Sequence, residues 1–177
     1  GLGHTRLAIL DLDPRGRQPM ADASGQLVIA FNGEIYNYRA LRDELTGDGF
    51  SFRTQTDTEV ILNLWLREGH RGLQRLDGMF AFALWDGREQ RLTITRDSSG
   101  IKPMYLADRA PGIVFASEVK ALLQVPNVGA DIDPVALLNH VNYLWSPGPR
   151  TLLAGVTKLE PGTWIDVVSG RIVDRGD

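Results

Sequence analysis

The run Met79-Phe80-Ala81-Phe82-Ala83-Leu84-Trp85 is apolar at every position. A strand with one wet face alternates apolar and polar residues, so this strand must be covered on both faces. Leu27 to Phe31 reads the same way. The first run leads through "DGREQR", residues 86–91, into the apolar Leu92–Thr95. Such a short polar link reads as a hairpin and hence as antiparallel pairing. "YLADRAPGIVFA", residues 105–116, reads as another. Strands covered twice but joined by hairpins favour stacked antiparallel sheets with helices outside.

Further strand-like runs are Met104–Leu106, Ile113–Ala116 and Trp164–Val168, and helical patterns lie between the strands. Asn37 is placed to cap a helix over Tyr38–Leu45, with Gly47 and Gly49 ending it. Thr56 and Glu59 have capping-box spacing ahead of Val60, Ile61, Leu64 and Trp65, and Gly69 closes that helix. Ser117 is placed to cap Glu118–Leu123, and Asp133-Pro134 opens a helix through Val141. The Pro- and Gly-rich "WSPGPRTLLAGVTKLEPG", residues 145–162, reads as a long surface connection.

The 177 residues, 43% of them hydrophobic, suffice for one domain with a core. The formal net charge is -3, with acids and bases interspersed. No basic stripe suggests nucleic acid, no apolar run is long enough to cross a bilayer, and no secretory signal is visible. Cysteine is absent, which removes disulfides, thiolate metal sites and a cysteine nucleophile from these residues. His4, His70 and His140 lack metal-ligand spacing.

Chemistry is suggested where the first strand ends, at Asn32-Gly33-Glu34. A side-chain amide beside a glycine N–H makes a pair of donors for an oxyanion, although Asn-Gly is also a strong turn signal. Arg6 precedes an apolar stretch. Its guanidinium suits bidentate capture of a carboxylate, or a surface pairing with Asp11 or Asp13. Asp57, at the start of a helix, is favoured there by the helix dipole and is equally suited to hold an ammonium group. "RDSSGIKPMY", residues 96–105, reads as a polar loop between strands. Ser117, Glu118 and Lys120 read as structural.

Taken in order, "GHTRLAI", "FNGEIYNYRALRDEL", "TDTEVIL", "LDGMFAFALWD", "RDSSGIKPMY" and "FASEVKALL" resemble the glutaminase domain of the asparagine synthetases, a class II glutamine amidotransferase. Where relatives such as glucosamine-phosphate synthase carry His ahead of the Asn-Gly pair, this chain has Phe31. The resemblance implies an α+β fold, a four-layer αββα sandwich of two antiparallel sheets flanked by helices, of the N-terminal-nucleophile hydrolase type. It implies that residues 1–177 form one glutaminase domain without its nucleophile segment and without the synthetase domain. Arg6 would bind the α-carboxylate of L-glutamine and Asp57 its α-amino group, with Glu34 beside it. Asn32 and the Gly33 N–H would form the oxyanion hole, and Leu7 and Ile9 would line the pocket.

The same resemblance implies no cofactor or metal in this domain. ATP and magnesium belong to a synthetase domain in cis, whose "SGGLDS" signature is absent here. It implies a cytoplasmic enzyme, with room for a homodimer, and no nucleic-acid or membrane partner. Family members begin with a cysteine whose thiolate attacks glutamine and whose α-amino group, with a pKa of about 7.7–8.0, acts as base. Residue 1 here is Gly. Truncation is the expected explanation, and the fragment is then inactive by itself. The alternatives are a non-catalytic glutaminase-like domain supporting a synthetase partner, as after natural loss of the nucleophile, and an amidotransferase of another pathway.

Overall fold

The computed structural model describes residues 1–5, 14–109 and 112–177. Arg6, Leu7 and Ile9 lie outside the described residues. The chain forms two compact units, Gly1–Leu92 and Thr93–Asp177.

In the first unit, β1 (Met20–Ala21), β2 (Leu27–Ile35), α1 (Tyr38–Gly47), α2 (Asp57–Glu68), a 3-10 segment (Gly69–Arg75) and β3 (Gly78–Asp86) follow one another. The strands are antiparallel in the order β1-β2-β3, and β2 and β3 pair from Leu27↔Asp86 to Ile35↔Gly78. Strand residues two apart share a face. Leu27, Ile29, Phe31 and Ile35 of β2 therefore join Phe80, Phe82 and Leu84 of β3 against Leu41 and Leu45 of α1 and Val60, Ile61, Leu64 and Trp65 of α2. These side chains form the core of the unit.

Double-sided burial holds for Phe80–Leu84 and fails for β2. Val28 and Ala30 are only half-buried, and Asn32 and Glu34 further along the same face are exposed. The strand also does not end at Phe31. It runs through Asn32-Gly33-Glu34 to Ile35, and the turn falls at Tyr36-Asn37. A paired strand supplies a ladder that outweighs the local turn preference of Asn-Gly.

Asn37 does not cap α1 through its side chain. Its carboxamide instead donates to Arg75 O and accepts from Asp77 N, tying the start of α1 to the entry of β3. Thr56 caps α2 as expected, accepting from Glu59 N at 3.3 Å, and Gly69 closes the helix at φ 58°.

The second unit contains β4 (Arg91–Arg96, shared with the end of the first), β5 (Tyr105–Arg109), β6 (Gly112–Ala116), α3 (Val119–Leu122), α4 (Pro134–Tyr143), β7 (Val156–Lys158), β8 (Trp164–Val168) and β9 (Arg171–Gly176). β5 is flanked by antiparallel β6 and β7, and β8 pairs with β9. The 145–162 stretch is therefore not all connection, since it carries β7. Ser117 makes no cap, and α3 is a single turn beginning after Glu118. Asp133 caps α4 as expected, accepting from Val135 N and Ala136 N.

The 96–105 loop is more than a generic hairpin loop. The buried Asp97 carboxylate accepts from the N–H groups of Ser99, Ile101 and Lys102, while the Arg96 guanidinium donates to the carbonyls of Gly100, Lys102 and Leu159. In both units helices accompany antiparallel strands, in agreement with the α+β class.

Candidate functional site

Antiparallel pairing sends alternate main-chain N–H groups of a strand to opposite edges. Hydrogen bonds from Gly87 N to Gln26 O and from Tyr36 N to Asp77 O fix the phase at the two ends of the β2–β3 ladder. Even-numbered residues of β2 therefore bond to β3, and the N–H groups of Leu27, Ile29, Phe31, Gly33 and Ile35 face the other edge. Leu27 N donates to Asp22 Oδ1 at 2.9 Å, Phe31 N to Gln18 Oε1 at 2.6 Å and Ile35 N to Asp57 Oδ2 at 3.1 Å. Gly33 N–H lies between the last two, about 7 Å from each. Among the described residues nothing pairs with it.

Position 33 accepts only glycine. Its φ is +156°, and a Cβ there would lie 2.2 Å from Met79 O and 2.7 Å from Phe80 Cα. The side chains of Asn32 and Glu34 leave from the face opposite Phe31 and Ile35, and both are exposed. One short segment thus offers an outward main-chain donor and a solvent-facing carboxamide next to it.

Asp57 is the first residue of α2 and is buried, with 5% of its surface exposed. Burial pushes its carboxyl above the ordinary carboxylate range, and the negative charge of Glu34 adds to the rise. The Ile35 N–H and the amides of the first helical turn oppose it. Two further contacts hold this helix start. Glu59 accepts from Arg53 N, Thr54 N and Thr54 Oγ1, so its carboxylate turns to the preceding loop rather than completing a capping box. Arg42 donates through Nη2 to Thr56 O at 3.1 Å, and its guanidinium lies 4.2 Å from the centre of the Phe52 ring.

The structure therefore brings Asn32, Gly33, Glu34 and Asp57 together, joined through Ile35. Arg6, Leu7 and Ile9 lie outside the described residues. Gln18 and His4 also stand at this edge, unforeseen from the sequence. Nothing in the residues around Gln18 signals the contact, because it joins positions far apart in the chain. Among the described residues no cluster of His, Cys, Asp and Glu could hold a metal ion, and no helix is long and apolar enough to cross a membrane.

Residues 1–175 match the family model of the glutamine amidotransferase domain. Over 163 residues the chain is 40% identical to asparagine synthetase [glutamine-hydrolyzing] 1 of Bacillus subtilis (strain 168), covering 92% of this chain and 26% of that protein. It is 46% identical over 146 residues to asparagine synthetase B [glutamine-hydrolyzing] of Escherichia coli (strain K12), covering 82% and 25%. The chain thus spans about a quarter of the length of these curated relatives. Among solved structures, glutamine phosphoribosylpyrophosphate amidotransferase from B. subtilis, complexed with ADP and GMP, matches with a TM-score of 0.68 and 23% identity, over 98% of this chain and 33% of that one. That likeness is one of fold.

Proposed function

Because this chain belongs to the glutamine amidotransferase domain family, we propose that it is the glutaminase part of an asparagine-synthetase-like enzyme. In this reading L-glutamine lies along the outer edge of β2. Its side-chain carbonyl meets the Gly33 N–H and the Asn32 carboxamide, and its α-ammonium meets Asp57, with Glu34 adding negative charge nearby. Arg6 takes the α-carboxylate, and Leu7 and Ile9 line the pocket. The observation that carries the reading is the outward Gly33 N–H, unpaired among the described residues and held between two amides that are paired.

A thiolate attacks the carboxamide carbon, and the negative charge that develops on its oxygen is met by Gly33 N–H and Asn32 Nδ2. Return of that electron pair expels the nitrogen, which leaves as ammonia once protonated, and a thioester remains for water to hydrolyse to glutamate. The 177 residues contain no cysteine, so the thiolate comes from outside them. The ammonia would pass to a synthetase portion in cis, in a cytoplasmic enzyme, where ATP and magnesium activate the acceptor carboxylate. The glutaminase step itself uses no cofactor.

The second reading is a glutaminase-like domain that binds without cleaving and supports a synthetase partner. Calorimetric titration of the 177-residue chain with L- and D-glutamine, with ammonia release followed in parallel, tests the site. Preferential binding of L-glutamine without ammonia is the expected result. Ammonia released by this chain alone would remove the need for an outside thiolate, and a folded chain indifferent to L-glutamine would overturn the site. Ammonia release once the chain is joined to a nucleophile segment separates the catalytic reading from the non-catalytic one.

A further inference from the structure

The chemistry proposed for this edge makes no use of Gln18, yet Gln18 is built into it. Its Oε1 accepts from Phe31 N at 2.6 Å, and its Nε2 donates to Thr58 Oγ1 at 3.4 Å. Thr58 is buried and directly follows Asp57 on α2. His4 Nε2 lies 2.9 Å from Phe31 O, and since a carbonyl only accepts, that nitrogen carries the proton. Both main-chain polar groups of Phe31 are thus taken by side chains.

β1 pairs with β2 only at Val28 and Ile29. Beyond Ile29, rungs along this edge are supplied by side chains, Gln18 at Phe31 and Asp57 at Ile35. Both reach the first turn of α2, Asp57 as its first residue and Gln18 through Thr58. The two outer amides are occupied, and the middle one, at Gly33, has no partner among the described residues.

We infer that Gln18 is a positioning residue that sets the register of the bound amide substrate, acting through Phe31; this rests on the reading of Gly33 N–H as the carbonyl-binding donor. Two effects follow. Gln18 fixes the backbone just ahead of Gly33 and braces it against the helix turn that carries Asp57. It also removes the Phe31 N–H as a decoy. That amide faces the same edge about 7 Å back along the strand, where a carbonyl bound to it would sit two residues out of register with Asp57.

Amide spectra of the 15N-labelled 177-residue chain, titrated with L-glutamine, test this. In the wild type the Gly33 resonance should move and the Phe31 resonance should not. Gln18→Met keeps the length of the side chain and loses its acceptor. It should expose the Phe31 amide to exchange and make that resonance respond to L-glutamine. It should also weaken binding by about tenfold, as for loss of one hydrogen bond, and leave Ile35 protected. Gln18→Glu retains an acceptor for Phe31 N–H and should keep Phe31 silent with Gly33 responsive. That variant decides the matter if Gln18→Met does not fold.

An unchanged Gly33 response and unchanged affinity in Gln18→Met would overturn the inference while the wild-type response still supports the site. A Phe31 amide that responds in Gln18→Glu would overturn it as well. A wild-type Gly33 resonance indifferent to L-glutamine would overturn the reading of the site, and this inference with it.

Discussion

The carboxylate of Asp57 accepts a hydrogen bond from the main-chain N–H of Ile35 at 3.1 Å, which ties the first turn of α2 to the outer edge of β2. The bond holds a buried carboxyl whose pKa is raised, first by burial and further by Glu34. Between the unfolded and folded pKa values the folded chain binds more protons than the unfolded one. Stability is therefore lost as pH rises through that window. Asp57→Asn escapes this loss. Its stability relative to the wild type should increase as pH rises above the ordinary carboxylate range, then level off above the raised pKa, as read from urea unfolding at a series of pH values. The same substitution should weaken L-glutamine binding by ~1.5–3 kcal/mol, through loss of a charged partner for the ammonium.

Wild-type affinity should run the opposite way to wild-type stability. An ammonium ligand selects the ionised carboxyl, so L-glutamine should bind more tightly as pH rises through the raised pKa of Asp57. Calorimetry across that range checks the sign, and an affinity independent of pH would detach Asp57 from the α-amino group.

Gly33 and Gly78 hold β2 and β3 close together. A Cβ on Gly33 would lie 2.2 Å from Met79 O, and one on Gly78 would lie 2.2 Å from Glu34 O. Both obstacles are main chain and cannot rotate aside. Gly33→Ala and Gly78→Ala should each destabilise the first unit by about 2–4 kcal/mol, measured as a fall in the urea midpoint. Gly25→Ala, where a Cβ meets open space, isolates the cost of a positive φ without a clash.

Asn32 separates stability from chemistry. Its side chain is exposed on the face of β2 away from the core. Asn32→Ala should leave stability within about 0.5 kcal/mol of the wild type. Once the chain is joined to a thiolate, the same change should lower kcat by about 10²–10³-fold, as for loss of one oxyanion donor. Unfolding curves and steady-state rates on one preparation test both halves.

Arg6→Ala should act on binding rather than on the chemical step, weakening L-glutamine by ~2–3 kcal/mol through loss of a charge-assisted pair. Equal falls in kcat for Arg6→Ala and Asn32→Ala with unchanged KM would contradict this division of roles.

Glu59 holds the loop that leads into α2. Removal of its carboxylate strands two main-chain donors, at Arg53 and Thr54, and takes one of its partners from the Thr54 hydroxyl, which keeps Thr56 Oγ1. Glu59→Ala should cost about 2–4 kcal/mol, and Glu59→Gln, which keeps one acceptor oxygen, distinctly less. Thermal unfolding of the two variants gives the comparison.

Much of this was legible in the residues. Unbroken apolarity from Met79 to Trp85 announced a strand covered twice, which holds for Phe80–Leu84, and the Thr56 and Asp133 caps and the Gly69 stop are local signals that local geometry honoured. Local rules failed where a distant partner offered more. Asn37 and Ser117 suit a cap by type, yet Asn37 spends its carboxamide on Arg75 and Asp77 and Ser117 caps nothing. β7 was hidden among Pro and Gly because its pairing with β5 spans some fifty residues of chain.

By itself the sequence determined the α+β class, the family resemblance and the residue types at the edge, because apolar period, capping chemistry and motif order are properties of neighbours along the chain. Only the tertiary structure decided that β2 continues through Asn32-Gly33-Glu34, that Asp57 and Gln18 take the amides on either side of Gly33, and that the middle amide has no partner among the described residues. Which edge a main-chain donor faces depends on the phase of pairing with another strand, and which side chain reaches it depends on contacts between residues far apart in the chain.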